Sequence, residues 1–347
     1  MTDPVISVDV MGGDHGPEII VDGIDTALAQ RAGARFLLFG DEQIVRPALA
    51  RKPRVESAST LVHCEMSVAM DAKPSVALRQ GRKVSSMWQA IEAVKSGAAQ
   101  ACISAGNTGA LMAMSKVVLR TLPGIERPAI VAVWPTVRGR SVVLDVGATI
   151  GGPASQYAQF AVMGAAYVRT IFGNPDPTIG LLNIGVEDVK GTDSVREAAE
   201  LLSRSELNFT GFIEGDGIGR GDADVIVTDG FTGNIALKTA EGTARQIAEY
   251  LRQAISGSFF SRLGYVFARP AFQSLRQRMD PNAANGGMFL GLNGIVVKSH
   301  GGADASGFAS AVNLAVDVAN ADISQTIAAD IEKMQVLLDD AWAQTLD

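Results

Sequence analysis

The strongest constraint on this chain is a pattern that occurs twice: a short apolar run, a turn of small polar residues, then a helical repeat. Residues 101–116 read Ala-Cys-Ile-Ser-Ala-Gly-Asn-Thr-Gly-Ala-Leu-Met-Ala-Met-Ser-Lys, and residues 224–238 read Asp-Val-Ile-Val-Thr-Asp-Gly-Phe-Thr-Gly-Asn-Ile-Ala-Leu-Lys. Asn107 or Thr108 suits the cap of the first helix. A helix starting in such a turn presents backbone N–H donors and the positive end of its dipole, where an anion is the natural occupant. Backbone preference alone also places Gly, Asn and Thr in strand-to-helix turns, so one copy would carry little weight. With two copies this alike, a shared anionic site and backbone preference stand as equal readings.

The rest of the chain extends the alternation. Strands are expected at 4–10, 36–39, 60–64, 130–134, 142–146, 178–183, 209–213 and 294–298, beside those ending at Ser104 and Thr228. Helices are expected after Pro17, at 42–51, from Ser85 or Ser86, at 157–171, at about 194–203, and from the second turn to about 279. A final helix carries Ile323, Ile327, Ile331, Met334 and Leu338 as a core stripe. No linker or low-complexity segment divides residues 1–347, so a single α/β domain with a mainly parallel, doubly covered sheet is expected. Ligands of such sheets bind at strand carboxyl ends, which places the turns after Val10, Ser104, Asn183, Thr228 and Lys298 on one rim.

Composition narrows the functions. The chain is 47% hydrophobic with 37 glycines and only 6% aromatic, a globular composition with room for close layer packing. A net charge of −7 and a pI near 5.1 argue against a general nucleic-acid binder. The first residues carry an acid where a signal peptide carries base, and no apolar run approaches the ~20 residues of a membrane span, so a cytoplasmic protein is expected. Cys64 and Cys102, with scattered His15, His63 and His300, form no metal-ligand spacing.

Nucleotide motifs are also missing. Gly215, Gly217, Gly219 and Gly221 alternate strictly and precede a strand, so they read as a flexible loop and not as a dinucleotide fingerprint. In the stretch 185–192 the lysine precedes the glycine, unlike a P-loop. The rim gathers Asp9, Asp14, His15, Asn107, Thr108, Lys190, Asn234 and His300 with many glycine amides. Lys190 is either a solvated loop lysine or a point charge for phosphate. His300 is either a structural turn residue or a catalytic one, and Asp9 either caps its own turn or serves the site. Without a nucleophile elbow or a cysteine in a basic pocket motif, an enzyme here would take its nucleophile from a substrate, and inorganic phosphate fits.

These residues resemble a known family. Val8-Asp-Val-Met-Gly-Gly-Asp14, 104–113, Asn183-Ile-Gly with Lys190-Gly191, 229–238 and Lys298-Ser-His-Gly301 are similar to signatures of the bacterial acyl-carrier-protein:phosphate acyltransferases, the PlsX family of phospholipid synthesis. The stretches 124–129 and 134–136 match too, in order along nearly the whole chain. The resemblance implies transfer of an acyl group from acyl carrier protein to inorganic phosphate, giving acyl phosphate. It also implies a three-layer α/β/α fold like isocitrate/isopropylmalate dehydrogenases, a homodimer, and no metal, nucleotide or other cofactor. By resemblance Lys190 and Asn234 are the catalytic pair. Phosphate and substrate contacts fall to Asp9, Gly12, Gly13, Asp14, Ser104, Asn107, Thr108, Gly230, Gly233, His300 and Gly301. After Ala148 the family usually continues with Asn and then an Asp-Cys pair; this chain reads Thr149-Ile-Gly-Gly152, so no role carries over to 149–152.

One stretch stands apart. Residues 250–279 contain five arginines and no acid, interleaved with Phe259, Phe260, Leu263, Phe267, Phe272 and Leu275. A protruding helical hairpin over 250–285 is expected, serving first as a dimer interface and second as a peripheral membrane contact or a seat for an acidic partner such as carrier protein. A membrane position would suit delivery of a reactive acyl phosphate to the membrane-embedded glycerol-phosphate acyltransferase that the resemblance implies. The competing functions are a phosphotransacylase using short acyl-coenzyme A, and a membrane-surface scaffold without turnover.

Overall fold

The computed structural model describes residues 3–31, 33–279 and 286–344, with backbone alone at 273–274, 276–279 and 336–344. Eleven strands form one sheet: β1 (Val5–Asp9), β2 (Arg35–Gly40), β3 (Ser59–His63), β4 (Ala101–Ser104), β5 (Ala129–Thr136), β6 (Gly139–Leu144), β7 (Ile179–Leu182), β8 (Phe209–Ile213), β9 (Val225–Val227), β10 (Gly287–Leu290) and β11 (Ile295–Lys298). The helices are α1 (Pro17–Gln30), α2 (Glu42–Leu49), α3 (Pro53–Ala58), α4 (Pro74–Gln80), α5 (Ser86–Lys95), α6 (Thr108–Val118), α7 (Ala154–Tyr167), α8 (Asp193–Ser203), α9 (Gly215–Arg220), α10 (Gly230–Ser256), α11 (Phe259–Met279), α12 (Ala305–Ala319) and α13 (Ile323–Gln344).

Side chains alternate across the sheet and feed two separate cores. Val8, Ile103, Val142, Leu144, Val227 and Val297 pack with α1, α7, α12 and α13 on one face. Cys102, Val143, Ile226, Phe289 and Val296 pack with α5 and α6 on the other. The three layers follow from this alternation. In α13, Ile323, Ile327, Ile331 and Met334 are buried as their spacing requires; the Leu338 side chain lies outside the described residues.

Strand order is β3-β2-β1-β4-β11-β10-β5-β6-β9-β7-β8. Most neighbours are parallel, but β11/β10, β10/β5 and β5/β6 are antiparallel. Three reversals in succession mean that β6, β9, β7 and β8 run opposite to β1, β2, β3, β4 and β11. The single rim expected for the five turns is therefore corrected: the turns after Val10, Ser104 and Lys298 leave the sheet one way, those after Asn183 and Thr228 the other. The register still brings them together. One rung passes through Val8, Ile103, Val297, Met288, Val131, Leu144, Val227 and Leu181. On it, or one residue beyond, lie the carboxyl ends of β1, β4, β11, β6, β9 and β7. Two oppositely directed sets of strands thus end at the same level across the sheet.

Several local expectations change. The segment 215–221 is not a loop: it forms α9, closed by left-handed Gly221, with Arg220 paired to Asp216 and Asp222. Pro74 opens α4, because proline suits a first helical turn. The helix expected at 157–171 starts at Ala154 and ends in a π-helical turn, Val168–Phe172. The segments α3, β10 and α12 have no counterpart in the sequence reading. No helix among the described residues is long and apolar enough to cross a membrane.

Candidate active site

The first set of strand ends is tied together by polar side chains. Asp9, 2% exposed at the end of β1, accepts hydrogen bonds from the hydroxyls of Ser86 and Ser104, both at 2.7 Å. Burial raises its pKa above the usual carboxylate value, and these hydroxyls oppose the rise. Ser104 Oγ also accepts from the Gly106 amide at 3.0 Å, shaping the turn into α6. A Cβ on Gly12 would lie 2.6 Å from the Gly106 nitrogen, so the β1 and β4 turns touch through their backbones. Gly13 has φ +97°, and the next amide, Asp14 N–H, donates to Gly301 O at 2.9 Å. These contacts unite Asp9, Gly12, Gly13, Asp14, Ser104 and Gly301.

Asn107, not Thr108, caps α6: its Oδ1 accepts from the Ala110 amide at 2.9 Å. Its Nδ2 donates to the carbonyls of Met70 and Ala72. The side chain is thus engaged with the backbone. Lys298, at the end of β11, donates to the carbonyls of Ala105, at 3.2 Å, and Ser299. Burial lowers its pKa to about 8, with Asp14 and Asp9 pulling upward and Lys238 downward.

The second set centres on Asp145, fully buried just past β6. Its Oδ1 accepts amides of Ile130 at 2.9 Å, Gly147 at 3.1 Å and Ala148 at 3.0 Å; its Oδ2 accepts the Thr149 hydroxyl at 2.8 Å. Burial raises the pKa of this carboxyl and the surrounding donors oppose it. Asp229 caps α10, accepting from the amides of Phe231 and Thr232 and from the Thr232 hydroxyl. Glycine is required where α10 meets this loop. A Cβ on Gly230 would lie 2.4 Å from Asp145 Oδ2, and one on Gly233 would lie 1.9 Å from the Asp145 carbonyl oxygen.

Helix α10 connects the two sets. Near its start the Asn234 side chain stands beside Gly147, 3.9 Å from where a Cβ on that glycine would be. One turn later, Lys238 Nζ lies 3.3 Å from Nε2 of His300, beyond β11, and 2.8 Å from Glu241. Gly302 N–H donates to Nδ1 of His300 at 3.1 Å. Burial, followed by the charge of Lys238, holds the His300 pKa below its ordinary value. Lys190 sits in the loop after β7, whose neighbour is β9, and Asn183 Nδ2 holds that loop by donating to Lys190 O at 3.1 Å. The Lys190 side chain is exposed and is not in hydrogen-bonding contact with Asn234.

Helix α10 thus touches both loop systems, through Asp145 and Gly147 on one side and His300 on the other. The family model described as "Fatty acid synthesis protein" matches residues 5–326. A phosphate acyltransferase of Mesorhizobium japonicum is 57% identical over 330 residues, 94% of this chain and 93% of the relative. That of Parvibaculum lavamentivorans is 56% identical over 334 residues, 96% and 92% of the two chains. This chain belongs to the phosphate acyltransferase family. Among solved structures, a phosphotransacetylase from Streptococcus pyogenes aligns with TM-score 0.60 at 19% identity, covering 91% of this chain and 94% of that one. A 4-hydroxythreonine-4-phosphate dehydrogenase from Burkholderia phymatum aligns with TM-score 0.51 at 18% identity, covering 91% and 98%. These two share the fold.

Four residues of the candidate site carry no role in the sequence analysis: Asp145 and Thr149, and Lys238 and Lys298, which stand in matched stretches without an assigned contact. An acid inside the apolar run 142–146 was the available signal for Asp145, since a carboxylate in a buried strand needs donors around it.

Proposed function

We propose that this chain transfers a fatty acyl group from acyl carrier protein to inorganic phosphate, giving an acyl phosphate for phospholipid synthesis and free carrier protein. The observation that carries this reading is helix α10, which sets Asn234 against Gly147 and Lys238 against His300, where both sets of strands end. Phosphate rests in this region with Lys190, in the neighbouring loop, neutralising its charge. The 104–108 and 300–301 turns supply backbone amides. A phosphate oxygen attacks the thioester carbonyl, the C–O bond forms, and collapse of the tetrahedral intermediate breaks the C–S bond. The Asn234 amide stabilises the oxyanion, a contribution of about 10²–10³ in rate for one such donor. The thiolate leaves without a strong general acid, because a thiol of this kind has a pKa of about 8.5. His300 assists by hydrogen bonding. Exposed Ile150 after β6, Ile184 and Val189 after β7, and Phe231 in the first turn of α10 give an acyl chain apolar surface near the reacting carbonyl.

The second part of the proposal concerns α10 and α11, which follow one another through Gly257 and Ser258. Phe259, Phe260, Val266 and Phe267 are 64–81% exposed in the single chain. They serve a homodimer interface first and a membrane surface second; residues 280–285 of the expected hairpin lie outside the described residues. The deciding experiment supplies acyl-carrier protein or short acyl-coenzyme A and follows thiol release with and without phosphate. Release from acyl-carrier protein that requires phosphate supports the proposal; release only from the coenzyme A thioester reassigns the donor.

A further inference from the structure

The 149–152 segment, to which the family resemblance assigns nothing, contains a side chain that links the buried carboxylate to the helix bearing Asn234. Thr149 is 6% exposed, and its hydroxyl is used in both directions. It donates to Asp145 Oδ2 at 2.8 Å and accepts the amide of Gly230 at 3.1 Å. Gly230 is the first residue of α10, whose initial amides have no partner within the helix. Asp229 satisfies the next two, at Phe231 and Thr232, so the Thr149 hydroxyl completes the set that the cap leaves open. The same loop touches the helix at two further points: the Asp145 carbonyl against Gly233, and Gly147 against Asn234.

We propose that Thr149 is a positioning residue for Asn234, acting through Asp145 and the Gly230 amide to fix the first turn of α10. Thr149 itself touches no reacting atom. The inference rests on the assignment of Asn234 to the oxyanion. A hydroxyl is suited to this place because one atom must give a proton to a carboxylate and receive one from an amide, which an apolar residue cannot do. Removing it leaves the Gly230 amide unpaired in a buried setting while Asp145 keeps its backbone donors. The loop survives and the helix start loosens. Misplacement of a catalytic group by about 1 Å costs on the order of 10²-fold in rate.

The test uses full-length Thr149→Val, Thr149→Ser and Asn234→Ala proteins and the combination of Thr149→Val with Asn234→Ala, assayed by phosphate-dependent thiol release from acyl-carrier protein. Thr149→Val should lower kcat at least 10-fold with both KM values within twofold, and Thr149→Ser should retain most of the turnover. The Thr149→Val loss should vanish when Asn234 is already alanine, since the two changes then remove one function. An equal fold-loss in both backgrounds, or unchanged turnover in Thr149→Val, overturns the proposal. The Asn234→Ala protein alone tests the underlying reading: wild-type turnover there removes Asn234 from the reaction, whatever Thr149 does.

Discussion

Replacing Gly233 with alanine should damage activity far more than stability. In the interior of a helix, Gly→Ala ordinarily stabilises by about 1 kcal/mol. At Gly233 the added Cβ would sit 1.9 Å from the Asp145 carbonyl oxygen and 2.9 Å from Thr228 Cγ2, whereas real Cβ atoms essentially never come closer than 3.0 Å. Either α10 or the 145–149 loop must yield by about 1 Å, a displacement on the scale that costs ~10²-fold in rate. Overpacking of this kind costs ~1–3 kcal/mol, so after the propensity gain the net loss is at most ~2 kcal/mol. Gly242 supplies the control: it lies in the same helix with nothing within 4 Å of its Cβ position. Gly242→Ala should therefore melt slightly higher with unchanged turnover, and Gly233→Ala a few degrees lower with turnover down ~10²-fold. Thermal melts and phosphate-dependent thiol release read both quantities. Near-wild-type turnover in Gly233→Ala would refute the claim that the start of α10 is held by this loop for catalysis.

Asn234→Ala should lower acyl-phosphate formation by ~10²–10³, and Lys190→Ala should also reduce it severely, both with melting behaviour close to wild type; trapping the product with hydroxylamine checks this. Lys298 is held near pKa 8, below its unfolded 10.5, so the unfolded chain binds the extra proton between those values. Its contribution to stability should therefore rise with pH from about 8 to 10.5, and Lys298→Met should flatten that part of a denaturation-versus-pH curve. Phe259→Glu should float less well with anionic liposomes if the aromatic face meets lipid; equal flotation would leave only the dimer role, which sedimentation of the same variant measures.

What the sequence made legible was mostly local. Ser85 and Asn107 are caps because a short polar side chain reaches an amide three residues on, and the α13 stripe is buried because its spacing puts it on one face. Strand direction was not legible. It depends on β10, a four-residue strand inserted between β11 and β5, and on pairings between residues such as Met288 and Val131 that no local pattern encodes. The glycines of α9 lie in a helix that buries Gly217 and packs Ile218 into the core, with Arg220 paired to Asp216 and Asp222, a placement that the alternation of glycines conceals. In the candidate site, the turns bearing Asp9, Ser104 and Gly301 could be placed from their strands. The Thr149 link to Gly230 could not, because its partners are 81 residues apart in the chain.

The most direct test is a stoichiometric one: acyl-carrier protein, phosphate and this chain, with free thiol and hydroxamate-trapped acyl phosphate counted together. One acyl phosphate should appear for each thiol released, and neither should form without phosphate or with Asn234→Ala. Thiol released without phosphate, or without matching acyl phosphate, would contradict an account built on a bound inorganic oxyanion attacking the thioester.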